Sequence, residues 1–184
     1  MCDVHSVLYT WMTVERSVVN MATPNSEFYD EIAANGGANV KLCFQCGTCT
    51  AGCPSGQETA YRTRKVMRMA QLGLKDELLS GDDIWQCTTC YTCEERCPRG
   101  VPIVDVVLAI RNIAVQEGKM YDAHKKTATN LVKYGHAVDL NDKVKAMRAE
   151  LGLPEVPPTI LASEKAKADF DKMLAKIGFG KLVE

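Results

Sequence analysis

The chain has 184 residues, enough for one compact domain with additions, and a composition of 46% hydrophobic and 24% charged residues excludes a disordered polypeptide. A net charge of -1, with Lys and Arg interspersed among acids, excludes a strongly basic nucleic-acid binder. The main apolar stretch, 101–115, is broken by Asp105, Arg111 and Asn112 and is too short to cross a bilayer, and residues 1–21 lack the basic start and clean apolar run of a secretory signal, so the expectation is a soluble, cytoplasmic chain with no membrane span.

Residues 1–24 form a leader without a motif. Asn25 and Ser26 are N-cap types and Gly36-Gly37 is a stop, which predicts a short helix over 27–35. A cysteine run follows, Cys43-Phe44-Gln45-Cys46-Gly47-Thr48-Cys49-Thr50-Ala51-Gly52-Cys53-Pro54. Strong helix formers over 58–72 predict a helix with Val66, Met67, Ala70 and Leu74 on one face and Arg62, Lys65 and Arg68 largely elsewhere. Helical turns are expected at 76–79 and 82–86 on either side of Ser80-Gly81, with Trp85 in the core. The second run is Cys87-Thr88-Thr89-Cys90-Tyr91-Thr92-Cys93-Glu94-Glu95-Arg96-Cys97-Pro98. From Pro102 to Gly118, Ile103, Val106, Val107, Ile110, Ile113 and Ala114 recur at helical spacing, and Val104, Leu108 and Val115 widen the stripe to a helix buried around much of its circumference. Three more helices are expected at 122–134, 141–151 and 163–177, the last two separated by a rigid extended connector at 152–159 that holds three prolines and a glycine. No segment alternates with period two, so the fold class is all-α. The organisation expected is a leader at 1–24, a cofactor domain at 25–120 and a helical extension at 121–184.

Nine cysteines without an export signal belong to a reducing compartment, where metal ligation is favoured over disulfides, and the odd count points the same way. The pattern C-x2-C-x2-C-x3-C-P occurs twice without gap or substitution. An iron–sulfur cube needs four thiolates; a tight C-x2-C-x2-C loop supplies three, and in two-cluster ferredoxins the cysteine before the proline ligates the other cluster. The expected cofactors are therefore two [4Fe–4S] clusters, one on Cys43, Cys46, Cys49 and Cys97, the other on Cys87, Cys90, Cys93 and Cys53. Zinc is the competing occupant, but zinc sites usually pair two C-x2-C knuckles across a longer loop and have no use for a third x2 step or a trailing proline. Cys2 has no partner spacing, and His5, His124 and His136 are scattered as surface or helix-end residues are. Arg62, Arg64, Lys65 and Arg68 either offset the charge of the clusters or form a solvated face. Phe44 and Tyr91, inside the loops, are expected to shield a cluster from water. There is no dinucleotide fingerprint, P-loop or nucleophile elbow, so no catalytic residue is assigned, and the expected chemistry is one-electron transfer.

Ordinary bacterial ferredoxins put strands around their two runs, whereas the segment between these runs reads as helical. In this the chain resembles the alpha-helical ferredoxin domains of succinate dehydrogenase, fumarate reductase, glycolate oxidase and heterodisulfide reductase. Gly47-Thr48-Cys49-Thr50, the stretch from Trp85 to Cys93 with Arg96-Cys97-Pro98, and the proline-rich tail from Leu151 to Thr159 resemble most the C subunits of heterodisulfide reductase from methanogenic archaea. The resemblance implies a relay of electrons from a flavin- and cluster-bearing A subunit to a B subunit that reduces the coenzyme M–coenzyme B heterodisulfide in methanogenesis, within a larger complex fed by a hydrogenase or formate dehydrogenase. The extension after Asp122 would then serve for subunit docking. A free soluble ferredoxin, or the iron–sulfur subunit of a fumarate reductase or glycolate oxidase type complex, is the alternative.

Overall fold

Every regular element in the computed structural model, which describes residues 23–183, is helical, and no β-strand occurs among them. In chain order the helices are α1 (Phe28–Ala34), α2 (Thr48–Ala51), α3 (Pro54–Glu58), α4 (Thr63–Leu72), α5 (Lys75–Ser80), α6 (Thr92–Glu95), α7 (Ile103–Gln116), α8 (Asp122–Tyr134), α9 (Asp142–Glu150) and α10 (Glu164–Ile177). Short 3-10 turns occur at Val40–Leu42, Asp83–Gln86, Ile160–Ala162 and Phe179–Leu182. Expectations for residues 1–22, with Cys2 and His5, lie outside the described residues. No helix among those described is long and apolar enough to cross a membrane.

α7 is the axis of the core. Its wide apolar stripe buries Ile103, Val104, Val106, Val107, Ile110 and Ile113, and it packs against α1, α5, α6 and the Asp83–Gln86 turn. Pro102 stands at its N-cap, so the missing amide of proline costs no helical hydrogen bond. The approach of α1 to α7 is tight enough to require Gly37: a Cβ there would lie 2.5 Å from Ile32 Cγ2 and 3.0 Å from the Val106 Cα. G37A should therefore destabilise the protein by about 1–3 kcal/mol, read in a thermal melt as a Tm lowered by about 2–4 °C per kcal/mol. Lys75 adds a polar tie at this junction, with Nζ 2.7 Å from Glu31 and 2.6 Å from Glu117.

The helix expected over 58–72 is divided. α3 ends at Glu58, Thr59 and Arg62 are extended, and α4 starts only at Thr63. The break turns Tyr61 inward, where it is 1% exposed. Burying an aromatic side chain is worth about 1.5–3 kcal/mol, against a few tenths per residue of helix propensity. Arg62, expected on the helix face, instead donates from one guanidinium nitrogen to the carbonyls of Gly56, Thr59 and Tyr61 at 2.8, 2.9 and 2.7 Å, partnering carbonyls that the interrupted helix leaves free.

Among the described residues the buried apolar side chains all lie between Phe28 and Ala114, and α8, α9 and α10 bury none completely. Their ends follow the capping residues: Asn141 Oδ1 accepts from the Val144 amide, Ser163 Oγ accepts from the Ala166 amide, and Gly135 and Gly178 close α8 and α10 in the left-handed region. Trp85, expected in the core, packs half-buried on its edge. Its ring stacks on Tyr121, lies 5.1 Å from His124 and receives the Arg111 guanidinium at 5.6 Å, which pins the start of α8 to the segment before the second cysteine run.

Candidate metal centres

The two cysteine runs have the same backbone. Each is entered from a 3-10 turn, and each opens on an extended cysteine, Cys43 or Cys87. Each then uses the left-handed region twice, at Gln45 and Gly47 in the first run and at Thr89 and Tyr91 in the second. Such conformations cost a non-glycine residue energy and cluster at functional sites. Of the four non-glycine residues with positive φ among those described, three sit in these loops. The third cysteine of each run, Cys49 or Cys93, lies on a one-turn helix, α2 or α6, and these two helices pack together.

Exposure repeats over the first three cysteines of each run, with Cys46 and Cys90 exposed, Cys49 and Cys93 buried and Cys43 and Cys87 between, while the fourth differs, Cys53 being buried and Cys97 half-buried. All eight thiols of the two runs are free. They ring two cavities. Cys43, Cys46, Cys49 and Cys97 line one; Cys53, Cys87, Cys90 and Cys93 line the other. Ile103 of α7 is common to both walls. Each cavity thus brings together three cysteines of one run and the last of the other.

Neighbouring groups favour thiolate at the rims and resist it in the interior. Cys46 Sγ lies 3.4 Å from Thr48 Oγ1, and Cys90 Sγ 3.5 Å from Thr92 Oγ1. The hydroxyl and then the amide of those threonines hold the pKa of each thiol below its ordinary value. Burial pushes Cys49 up, and with the surrounding sulfurs pushes Cys93 up to about 12. A positive charge close by would favour the charged form of the inner thiols.

Long-range side chains hold both loops by the same device. Gln71 of α4 donates to the carbonyls of Val40 and Cys43 at 3.1 and 2.6 Å; Arg111 of α7 donates to those of Ile84 and Cys87 at 2.8 and 2.6 Å. Thr50 Oγ1 accepts from the Arg64 amide in the first turn of α4, and Glu94 Oε2 accepts from the Val104 amide in the first turn of α7. Gln71, Arg111, Glu94 and Tyr61 were not identified from the sequence as attending the cysteines, nor was the side-chain role of Thr50. The signal for Thr50 and Glu94 was present, since they occupy equivalent places one residue after the third cysteine of each run.

Of the two rings expected to shield the clusters, Phe44 is 60% exposed and lines neither thiol cavity, whereas Tyr91, 44% exposed, lines the cavity of Cys53, Cys87, Cys90 and Cys93. His124 and His136 contribute to neither cavity.

These residues fit an iron–sulfur cube in each cavity. Thiolates are the soft donors it takes, and the second cavity offers two hydroxyls, Tyr61 Oη and Thr63 Oγ1, that are buried without a hydrogen-bond partner in the protein. Sulfur would accept from them. Among the described residues no three Cys, His, Asp or Glu side chains gather around a point as ligands of a single ion do.

Comparison with known proteins agrees with this chemistry. The 4Fe-4S dicluster domain family matches residues 39–101. The iron-sulfur C subunit of the CoB–CoM heterodisulfide reductase of Methanopyrus kandleri is 52% identical over 145 residues, which is 79% of this chain and 76% of the relative. The C subunit of the H2:CoB–CoM heterodisulfide, ferredoxin reductase of Methanothermobacter marburgensis is 44% identical over 174 residues, 95% of this chain and 94% of that protein. The C subunit of the ferredoxin:CoB–CoM heterodisulfide reductase of Methanosarcina mazei is 42% identical over 146 residues, 79% of this chain and 90% of the relative. The all-helical fold, the doubled cysteine run and this degree of identity place the chain in the family of heterodisulfide reductase iron–sulfur C subunits, the electron-transfer subunits of an oxidoreductase complex.

Proposed function

We propose that the chain holds two 4Fe–4S clusters, one on Cys43, Cys46, Cys49 and Cys97 and one on Cys53, Cys87, Cys90 and Cys93, and relays single electrons without an active site of its own. The clusters supply one-electron chemistry. The electrons come from a flavin-bearing A subunit and go to a B subunit that reduces the coenzyme M–coenzyme B heterodisulfide, in a cytoplasmic assembly that also contains a hydrogenase or formate dehydrogenase. The observation that carries this reading is the grouping of the eight thiols around two adjacent cavities with α7 as a common wall. The protein's part is to keep both sites rigid and close, by Gln71, Arg111 and the packed α2 and α6.

The cofactor domain corresponds to 25–120 and the docking extension to 121–184. Exposed Val138, Met147, Leu151, Met173 and Ile177 on the extension support a role in covering or being covered by another subunit. Isolation without oxygen tests the proposal. About eight irons and eight sulfides per chain are expected, with co-elution of a flavin-containing subunit and heterodisulfide reduction that stops when this chain is left out. A colourless protein containing zinc, or a chain that always runs alone, would overturn it.

A further inference from the structure

Beside the cavity of Cys43, Cys46, Cys49 and Cys97 runs an open groove of about 890 Å³ whose lining includes Lys41, Arg62, Arg64, Lys65 and Arg68 and no acid. Groove and cavity share Cys43, Gln45 and Arg64, so the groove leads to the edge of that site. Part of its charge is already used: Lys65 pairs with Asp83 at 2.7 Å, Arg62 binds backbone carbonyls, and Lys41 lies over the Tyr29 ring at 3.9 Å. Arg64 and Arg68 are exposed and make no ion pair among the described residues. Phe44, 60% exposed, stands in the same lining.

Like charges gathered in a groove of a chain whose net charge is only -1 are a local feature, complementary to an anionic partner. One exposed aromatic ring and no further aromatic in the lining give little for a nucleic-acid strand to stack on, whereas cations around an apolar anchor suit a protein segment. We infer that this groove seats an acidic, Asp- and Glu-bearing segment of the subunit that exchanges electrons with the site of Cys43, Cys46, Cys49 and Cys97. The inference rests on the relay reading and adds where and by what chemistry one partner docks.

The test uses the full chain reconstituted without oxygen, as wild type and as R64E/R68E, titrated with the purified flavin-bearing subunit and, separately, with the purified catalytic subunit. Affinity for one of the two should fall about tenfold or more while the other is unchanged, and the wild type's affinity for that subunit should weaken steeply between about 50 and about 300 mM salt. Visible and paramagnetic resonance spectra verify the clusters. Should R64E/R68E lose one, the K41E/R68E pair, which lines the groove but not the thiol cavity, decides by the same measurement. Unchanged affinity for both subunits, or an equal loss for both, overturns the inference alone. So does charge-dependent binding of a short single-stranded RNA with subunit binding intact. Failure of the wild type to bind either subunit overturns the relay reading together with it.

Tyr61 supports a second assignment, on a separate observation. It is 1% exposed and lines the cavity of Cys53, Cys87, Cys90 and Cys93, and its buried hydroxyl makes no hydrogen bond of normal geometry in the protein, with the Thr63 hydroxyl and the Cys87 sulfur beside it. The geometry points to Tyr61 as a positioning residue whose O–H donates to sulfur at that site and raises its reduction potential, since a donor stabilises the more negative, reduced state. This too rests on the cluster reading. In a redox titration followed by paramagnetic resonance, Y61F should shift one midpoint potential downward and leave the other in place, with full iron content. Two unmoved midpoints, two moved ones, or loss of half the iron overturns the assignment; a wild type without iron overturns the cluster reading itself.

Discussion

C97A should strip the cluster built on Cys43, Cys46 and Cys49, and C53A the one built on Cys87, Cys90 and Cys93, each leaving the opposite site loaded. Iron should fall from about eight to about four per chain in either variant, because a cube short of one thiolate leaves an iron open to solvent and is lost. Paramagnetic resonance identifies which cluster persists. The physical basis is that the last cysteine of each run leaves its own loop and lines the other cavity. Loss of the cluster of the same run, with the opposite one retained, would refute crossed ligation. Loss of both would mean that the two loops cannot hold their shape independently, and the double variant C53A/C97A would then be no worse than either single one.

R111M should lower stability by about 2–5 kcal/mol and weaken the second site more than Q71A weakens the first. Among the described residues Arg111 is the only side chain holding the carbonyls of both Ile84 and Cys87, and its guanidinium is half-buried between them and the Trp85 ring. Burial lowers its pKa and the neighbouring Cys87 and Tyr61 raise it, with burial the stronger, so it is a cation already kept at some cost. Methionine fills a similar volume but leaves two carbonyls without a donor and a thiolate without its counter-charge. Gln71 offers the first run the same two bonds from a neutral amide, whose loss removes hydrogen bonding but no charge. R111K should fall between, because a single ammonium cannot copy the fork. Thermal melts and iron retention on the reconstituted protein measure this. A melting temperature for R111M equal to that of the wild type would remove the carbonyl clamp from the account of the site.

Helices were legible where their signals are local. The stripe from Ile103 to Ala114 predicts α7, and the ranges 141–151 and 163–177 match α9 and α10, each to within a residue or two of the observed ends, since helical periodicity and its breakers depend on neighbours in the chain. The same locality misled at 58–72, where helix-forming residues surround a tyrosine whose ring is needed in the core. Trp85 was misplaced for a related reason: hydrophobic type alone does not distinguish a core position from a seam where Tyr121 and His124 arrive from later in the chain.

By itself the sequence determined the chemistry and the architecture: two runs of four cysteines at a spacing that suits an iron–sulfur cube, and helices between and after them. Tertiary structure alone decided which distant groups attend the thiols. Gln71, Arg111 and the orphan hydroxyl of Tyr61 come to the cysteine loops only when α4 and α7 pack beside them, and the basic groove exists only because Lys41 is brought next to Arg64 and Arg68. Spacing within a run is a short-range property that a sequence displays directly. Contacts between elements far apart in the chain depend on the burial of the whole core, and nothing in their own neighbourhood announces them.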